Sequence, residues 1–172
     1  NWNTGNVTNM QSMFLNASAF NQDISSWNVS NVATIGFMFF GAISFDQNIG
    51  NWNIINVSSM GAMFTGCGLS TNNYDNILIG WSQQNPPDNI SLDAQFIYYC
   101  NAEDARNSLI ENFGWTIVDS GLDPECTEID CAFDDTNIQD AGELWVSDQN
   151  ASEDLYGNIS DWDTSCVTNM SG

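Results

Sequence analysis

Positions 25 residues apart carry the same side chain through the first third of this chain. Trp2, Trp27 and Trp52 obey that step, as do Val7, Val32 and Val57, Met13, Met38 and Met63, and Phe14, Phe39 and Phe64. Phe20 recurs as Phe45, and polar positions follow: Asn3, Asn28 and Asn53; Asn6, Asn31 and Asn56; Gln22 and Gln47. A unit of 25 residues is too short to bury its own apolar face. It must stack on its neighbours, turning each recurring side chain into a column.

Within one unit, Ile24–Val29 alternates as a short strand does, and Val32, Ile35, Met38 and Phe39 in the segment 31–42 have helical spacing. The expected coil is a strand, a turn, a short helix or 3₁₀ segment, and a return loop holding Phe20 or Phe45. Asn6, Asn31 and Asn56 fall at the turn, where side-chain amides can satisfy backbone groups of the next coil and form an Asn ladder. The stretch FNQDISSWNVSNVATIGFMFFGAISFDQNIGNWN resembles the repeat of BspA-like leucine-rich-repeat surface proteins. That resemblance implies an α/β solenoid of leucine-rich-repeat-like coils with mixed α+β caps.

Residues 1–68 are expected to form the coils of a first solenoid, and the period stops after Cys67. Residues 69–118 read as its C-terminal cap, because an open solenoid end exposes strand groups and an apolar cross-section. The cap contains a helix in 70–84 with Tyr74, Ile77, Leu78 and Trp81 on one face, capped by Ser70 or Thr71. A strand follows over 90–100, then a helix with Asn101 as N-cap and Gly114 as stop, then a strand from Trp115. Residues 119–131 read as an acidic linker containing two cysteines, and 132–156 as a helical N-terminal cap with Ile138, Ala141, Leu144 and Trp145 facing inward. Residues 157–172 re-enter the pattern: Trp162, Val167 and Met170 match Trp2, Val7 and Met10, so 157–172 is expected to be the first coil of a second solenoid.

Composition narrows the chemistry. One basic residue, Arg106, faces 22 acidic ones, which leaves no cationic patch for nucleic acid. There is no apolar run long enough to span a bilayer. With no His and no Lys, the chain cannot build an imidazole base, a catalytic triad, a His-containing zinc site or a Schiff base. Catalytic and cofactor-binding residues are therefore not assigned, and no enzymatic activity is expected.

The five cysteines suit an oxidising compartment. Cys67 and Cys100 are either a repeat-to-cap disulfide or two buried thiols, and Cys126 and Cys131 are placed to bridge within the linker. Cys166 aligns with Asn6, Asn31 and Asn56, a ladder position where the resemblance implies that Cys serves as a buried donor. The acids Asp123, Glu125, Glu128, Asp130, Asp134 and Asp135 are weak candidates for Ca²⁺ ligation, set against the simpler reading of a solvated acidic linker. Of the Asn-x-Ser/Thr sequons, Asn89 and Asn150 are the better glycan acceptors, since Asn6 and Asn56 belong to the ladder.

The function expected from this reading is that of a non-enzymatic extracellular protein at the cell surface. It would be a structural and adhesive part of a stalk, fibre or filament, joined head to tail to neighbouring copies or blocks of itself. The alternative is a discrete module that grips host or environmental glycans or proteins with its concave strand face.

Overall fold

A computed structural model describes residues 2–126 and 138–149. The chain divides into two units, Asn1–Pro124 and Glu125–Gly172. In the first, three repeats (2–25, 26–50 and 51–68) precede helix α1 (Thr71–Ser82), strand β1 (Ser91–Asp93), helix α2 (Glu103–Phe113) and strand β2 (Thr116–Val118). In the second, the described element is helix α3 (Ile138–Ser147), in which Leu144 and Trp145 are half-buried.

The repeats are joined by parallel pairing at a constant step. Asn9 bridges Thr34 and Thr34 bridges Ser59; Met60 bridges Leu92; β1 pairs with β2 in the register Leu92 to Ile117. Around these bridges the N–H groups of Met10, Ser12, Phe14 and Asn16 donate to the carbonyls of Thr34, Gly36, Met38 and Phe40. Ile35, Phe37, Phe39 and Gly41 then donate to Ser59, Gly61, Met63 and Thr65 in the same way.

This pairing corrects the expected position of both elements in a repeat. Ile24–Val29 is not a strand; Trp27 N–H closes a turn on Ile24 carbonyl, and the bridge lies at Thr34. Residues 31–42 are not a helix but successive turns, with Met38, Phe40 and Ala42 donating three residues back. Their apolar spacing imitates a helix because turns of this length also bring every third or fourth residue inward. The other N–H groups leave for the adjacent repeat, which a helix would not permit. Two left-handed residues per repeat enforce the break: Ser12, Phe37 and Ala62 at φ 57, 57 and 55°, and Asn16, Gly41 and Gly66 at φ 55, 67 and 68°.

The columns form the core. Phe14, Phe39, Phe64, Trp81 and Trp115 stack in succession, with centroids 5.8, 6.1, 6.3 and 6.4 Å apart. Phe20 stacks on Phe45 at 6.1 Å, and buried Trp52 donates from Nε1 to Ile24 carbonyl. Such aromatic pairs add roughly 0.5–1.5 kcal/mol each beyond area burial.

The segment after the repeats follows the expected order with local corrections. Ser70 Oγ caps α1, whose buried face is Tyr74, Ile77, Leu78 and Trp81. The strand expected over 90–100 ends at Asp93, because a turn from Ala94 to Ile97 with Phe96 at φ 74° interrupts it. The N-cap of α2 is Ala102, without a side-chain bond; Asn101 instead donates its N–H to Asp75. Gly114 ends α2 at φ 67°. Residues 119–123, placed in the linker by composition, are tied back: Ser120 N–H donates to Ile97 carbonyl and Asp123 N–H to Tyr99 carbonyl.

Candidate functional site

The step of 25 residues makes repeat 1 the uncovered member of a series, and burial shows it. Met13 is 39% exposed, whereas Met38 and Met63 are 0%; Trp2 is 67% exposed, whereas Trp52 is 1%. Trp2 stacks on Trp27 at 5.7 Å, and together with Phe14, Phe20, Gln22, Asp23 and Ile24 they line an open cleft of about 280 Å³. Phe14 and Phe20 lie 3.7 Å apart at its floor, as Phe39 and Phe45 do one repeat later.

The same end has a defined polarity. Carbonyls of Thr34, Gly36, Met38 and Phe40 each accept a bond from repeat 1, so the matching carbonyls in repeat 1 are those of Asn9, Gln11, Met13 and Leu15. Among the described residues these four accept no hydrogen bond. The opposite edge of the repeats is closed: Asp93 accepts from Ala62 N–H with its carboxylate and from Phe64 N–H with its carbonyl.

Beside the cleft, and sharing Asp23 with it, is a polar groove of about 460 Å³ lined by Asp23, Ser25, Asp46, Gln47, Asn48, Asn51 and Asn73. Bonds from the Ser25 side chain and N–H hold the Asp23 carboxyl below its ordinary range. Burial pushes Asp46 up, but donation from Ser70 N–H, Asn73 Nδ2 and Ser70 Oγ outweighs it and leaves Asp46 lowered. Asp46 occupies the place of Asn21 one repeat earlier, whose Oδ1 accepts from Asp46 N–H and Gln47 Nε2.

Asn31 Nδ2 donates to Gly5 carbonyl and Asn56 Nδ2 to Ser30 carbonyl, both at 2.7 Å; Asn6, Asn31 and Asn56 are all exposed. A second Asn column, Asn3, Asn28 and Asn53, turns its Oδ1 to the N–H two residues on, an Asx-turn repeated three times.

The cysteine reading needs correction. Cys67 is a free, half-buried thiol, which burial pushes up to about 11, while Cys100 is disulfide-bonded. There is thus no Cys67–Cys100 bond: Cys67 sits in the turn closing repeat 3, whereas Cys100 is held with its N–H on the Asp75 carboxylate. Cys126 is in a disulfide; Cys131 and the ladder residue Cys166 lie outside the described residues.

Of the proposed Ca²⁺ ligands, Asp123 accepts from Thr71 Oγ1 at 3.2 Å and Glu125 is exposed. Glu128, Asp130, Asp134 and Asp135 lie outside the described residues. Among the described residues no group of three or more His, Cys, Asp or Glu is placed to hold a metal ion. Asn89 is exposed in a left-handed conformation at φ 59°, its N–H donating to Phe113 carbonyl; Asn150 lies outside the described residues. No described helix is long and apolar enough to cross a membrane.

Sequence reasoning missed the polar anchor of the α-helical segment. Arg106 forks onto Asp119 through Nε at 2.8 Å and Nη2 at 3.0 Å, and Tyr74 Oη donates to Asp119 at 3.0 Å. The guanidinium also lies 5.4 Å over the Tyr99 ring. Burial first, and Asp119 beside it, push the Tyr74 hydroxyl well above its ordinary range, and the Asp119 bond raises Arg106. The available signal was the isolation of Arg106 as the one cation of an acidic chain.

These features define a tandem-repeat protein whose units pair edge to edge. The chain belongs to the family described as "Mycoplasma protein of unknown function, DUF285", whose model matches residues 1–87 and 129–172. The unmatched interval spans β1, α2 and β2, where the 25-residue step is absent. No curated protein and no solved structure matches the chain.

Proposed function

We propose that this protein is a non-enzymatic extracellular component of the cell surface. In this reading it is a leucine-rich-repeat-like α/β solenoid of the BspA-like kind, serving as a structural and adhesive part of a stalk, fibre or filament. The observation that supports this most is the recurrence of the same backbone pairing at each 25-residue step, from Met10–Asn16 onto repeat 2 and from Ile35–Gly41 onto repeat 3. A translational device of this type lengthens by repetition, with stability contributed unit by unit. Disulfide-bonded Cys100 and Cys126 support placement in an oxidising compartment. Electron microscopy of the intact protein tests the proposal: elongated rods or fibres are expected, and isolated compact particles overturn it.

The second reading, a discrete module for glycans or proteins, draws on the aromatic cleft at Trp2 and Trp27 beside the polar groove at Asp23 and Asp46. Aromatic faces with neighbouring carboxylates and amides suit the apolar and hydroxyl faces of a sugar ring. A glycan array with a hit that Trp27→Ser abolishes would favour it over the structural role.

A further inference from the structure

The exposed edge of repeat 1 is a one-sided acceptor surface, and this restricts what can cover it. Four carbonyls (Asn9, Gln11, Met13 and Leu15) point away from repeat 2 without a bonded donor among the described residues, and Trp2 and Met13 lie open beside them. A second copy docking by two-fold symmetry would set carbonyl against carbonyl. The partner edge must present N–H groups at alternate residues, so the contact has to be head to tail.

The chain contains one further segment with the side chains for this. Residues 161–172, DWDTSCVTNMSG, align with residues 1–12, placing Trp162, Val167, Thr168, Met170 and Gly172 at the positions of Trp2, Val7, Thr8, Met10 and Ser12. We propose that residues 161–172 of a second copy dock on the exposed edge of repeat 1 in the register that repeat 1 itself uses on repeat 2. This rests on the stacked-repeat reading above and names the contact that would join its copies.

The register fixes the contacts. Met10 and Ser12 N–H donate to Thr34 and Gly36 carbonyls, so Met170 and Gly172 N–H meet the carbonyls of Asn9 and Gln11. Ala33 N–H donates to Thr8 carbonyl, so Thr8 N–H meets Thr168 carbonyl. Asn31 Nδ2 donates to Gly5 carbonyl, so Asn6 Nδ2 meets Ser165 carbonyl. Trp162 covers Trp2 as Trp2 covers Trp27. Repeat 1 carries only Asp23, but each copy has net charge −21, so the contact forms against long-range repulsion that salt screens. A heterologous contact of this kind does not close on itself and propagates into a chain.

Analytical ultracentrifugation of the whole chain, over rising concentration and NaCl, tests this with two variants. Trp2→Ser spoils the acceptor end, where Trp2 is already exposed and the fold does not depend on it. Met170→Pro removes a donor N–H from the other end. The wild type is expected to form a concentration-dependent ladder of oligomers that strengthens with salt. Each variant alone is expected to lose every species above monomer, and an equimolar mixture of the two to regain dimer and nothing larger. A wild type that stays monomeric at millimolar concentration in high salt overturns the docking. So does an assembly that stops at a symmetric dimer, or one that survives Trp2→Ser. A monomeric result leaves the stalk reading standing, since that is decided by the shape of the intact protein.

Discussion

Asp46 shows how one side chain can serve two repeats. It replaces Asn21 in the repeat series, and all three of its bonds, from Ser70 N–H, Ser70 Oγ and Asn73 Nδ2, converge on Oδ1. An asparagine offers the same oxygen without the charge. Because folded Asp46 is held below its ordinary range, the unfolded chain takes up that proton first. Its contribution to stability is therefore present above about pH 4 and lost as pH falls through the lowered folded value. Asp46→Asn is expected to cost about 1 kcal/mol at neutral pH, the difference between charged and neutral acceptors at a partly exposed site, and to converge on the wild type in acid. Denaturant melts of both proteins across the acid range check this; a cost that persists unchanged at low pH counts against it. The Asn columns were readable in sequence because the step repeats them. Asp119 and Asp75 were not, because their partners stand 13 to 45 residues away with no periodic copy.

At the level of the element, α1 is accommodated by two glycines in contact. A Cβ on Gly80 would run into Gly50 carbonyl oxygen, and one on Gly50 into Asn76 carbonyl oxygen. The return loop of repeat 2 thus packs directly on the helix backbone. Gly80→Ala gains about 1 kcal/mol of helix propensity but forces the two backbones apart. Overpacking of this kind costs roughly 1–3 kcal/mol, and rigid backbone atoms put it at the upper end, so a net loss of about 2 kcal/mol is expected. Gly61→Ala is the control: a Cβ there meets nothing within 4 Å, and its melt should stay within about 0.5 kcal/mol of the wild type. Equal effects at both sites would show that the close approach does not matter. The existence of α1, α2 and both strands could be read from capping and periodicity. The end of β1 could not, since the left-handed Phe96 that stops it is a residue type with no preference for that conformation.

For the whole molecule, charge is the dominant unbalanced term. Net charge −21 on 172 residues, with two acids in residues 1–68 and the rest beyond, opposes compaction through self-repulsion. Added NaCl is expected to raise the melting temperature of dilute protein steeply at first, then level off as the Debye length approaches about 8 Å near 0.15 M. Differential scanning calorimetry at several salt concentrations tests this, and a flat or falling melting temperature would contradict it. The sequence alone established that the chain is a stack of 25-residue units, because each unit buries its apolar side chains only against the next and so must match it position by position. It could not locate the pairing. Backbone N–H and C=O groups are the same in every residue, so whether Thr34 or Trp27 bridges the next repeat leaves no mark on side-chain periodicity. The left-handed turns at Phe37 and Gly41 divert alternate N–H groups outward, and that three-dimensional choice sets where repeats join and which groups the first one leaves unpaired.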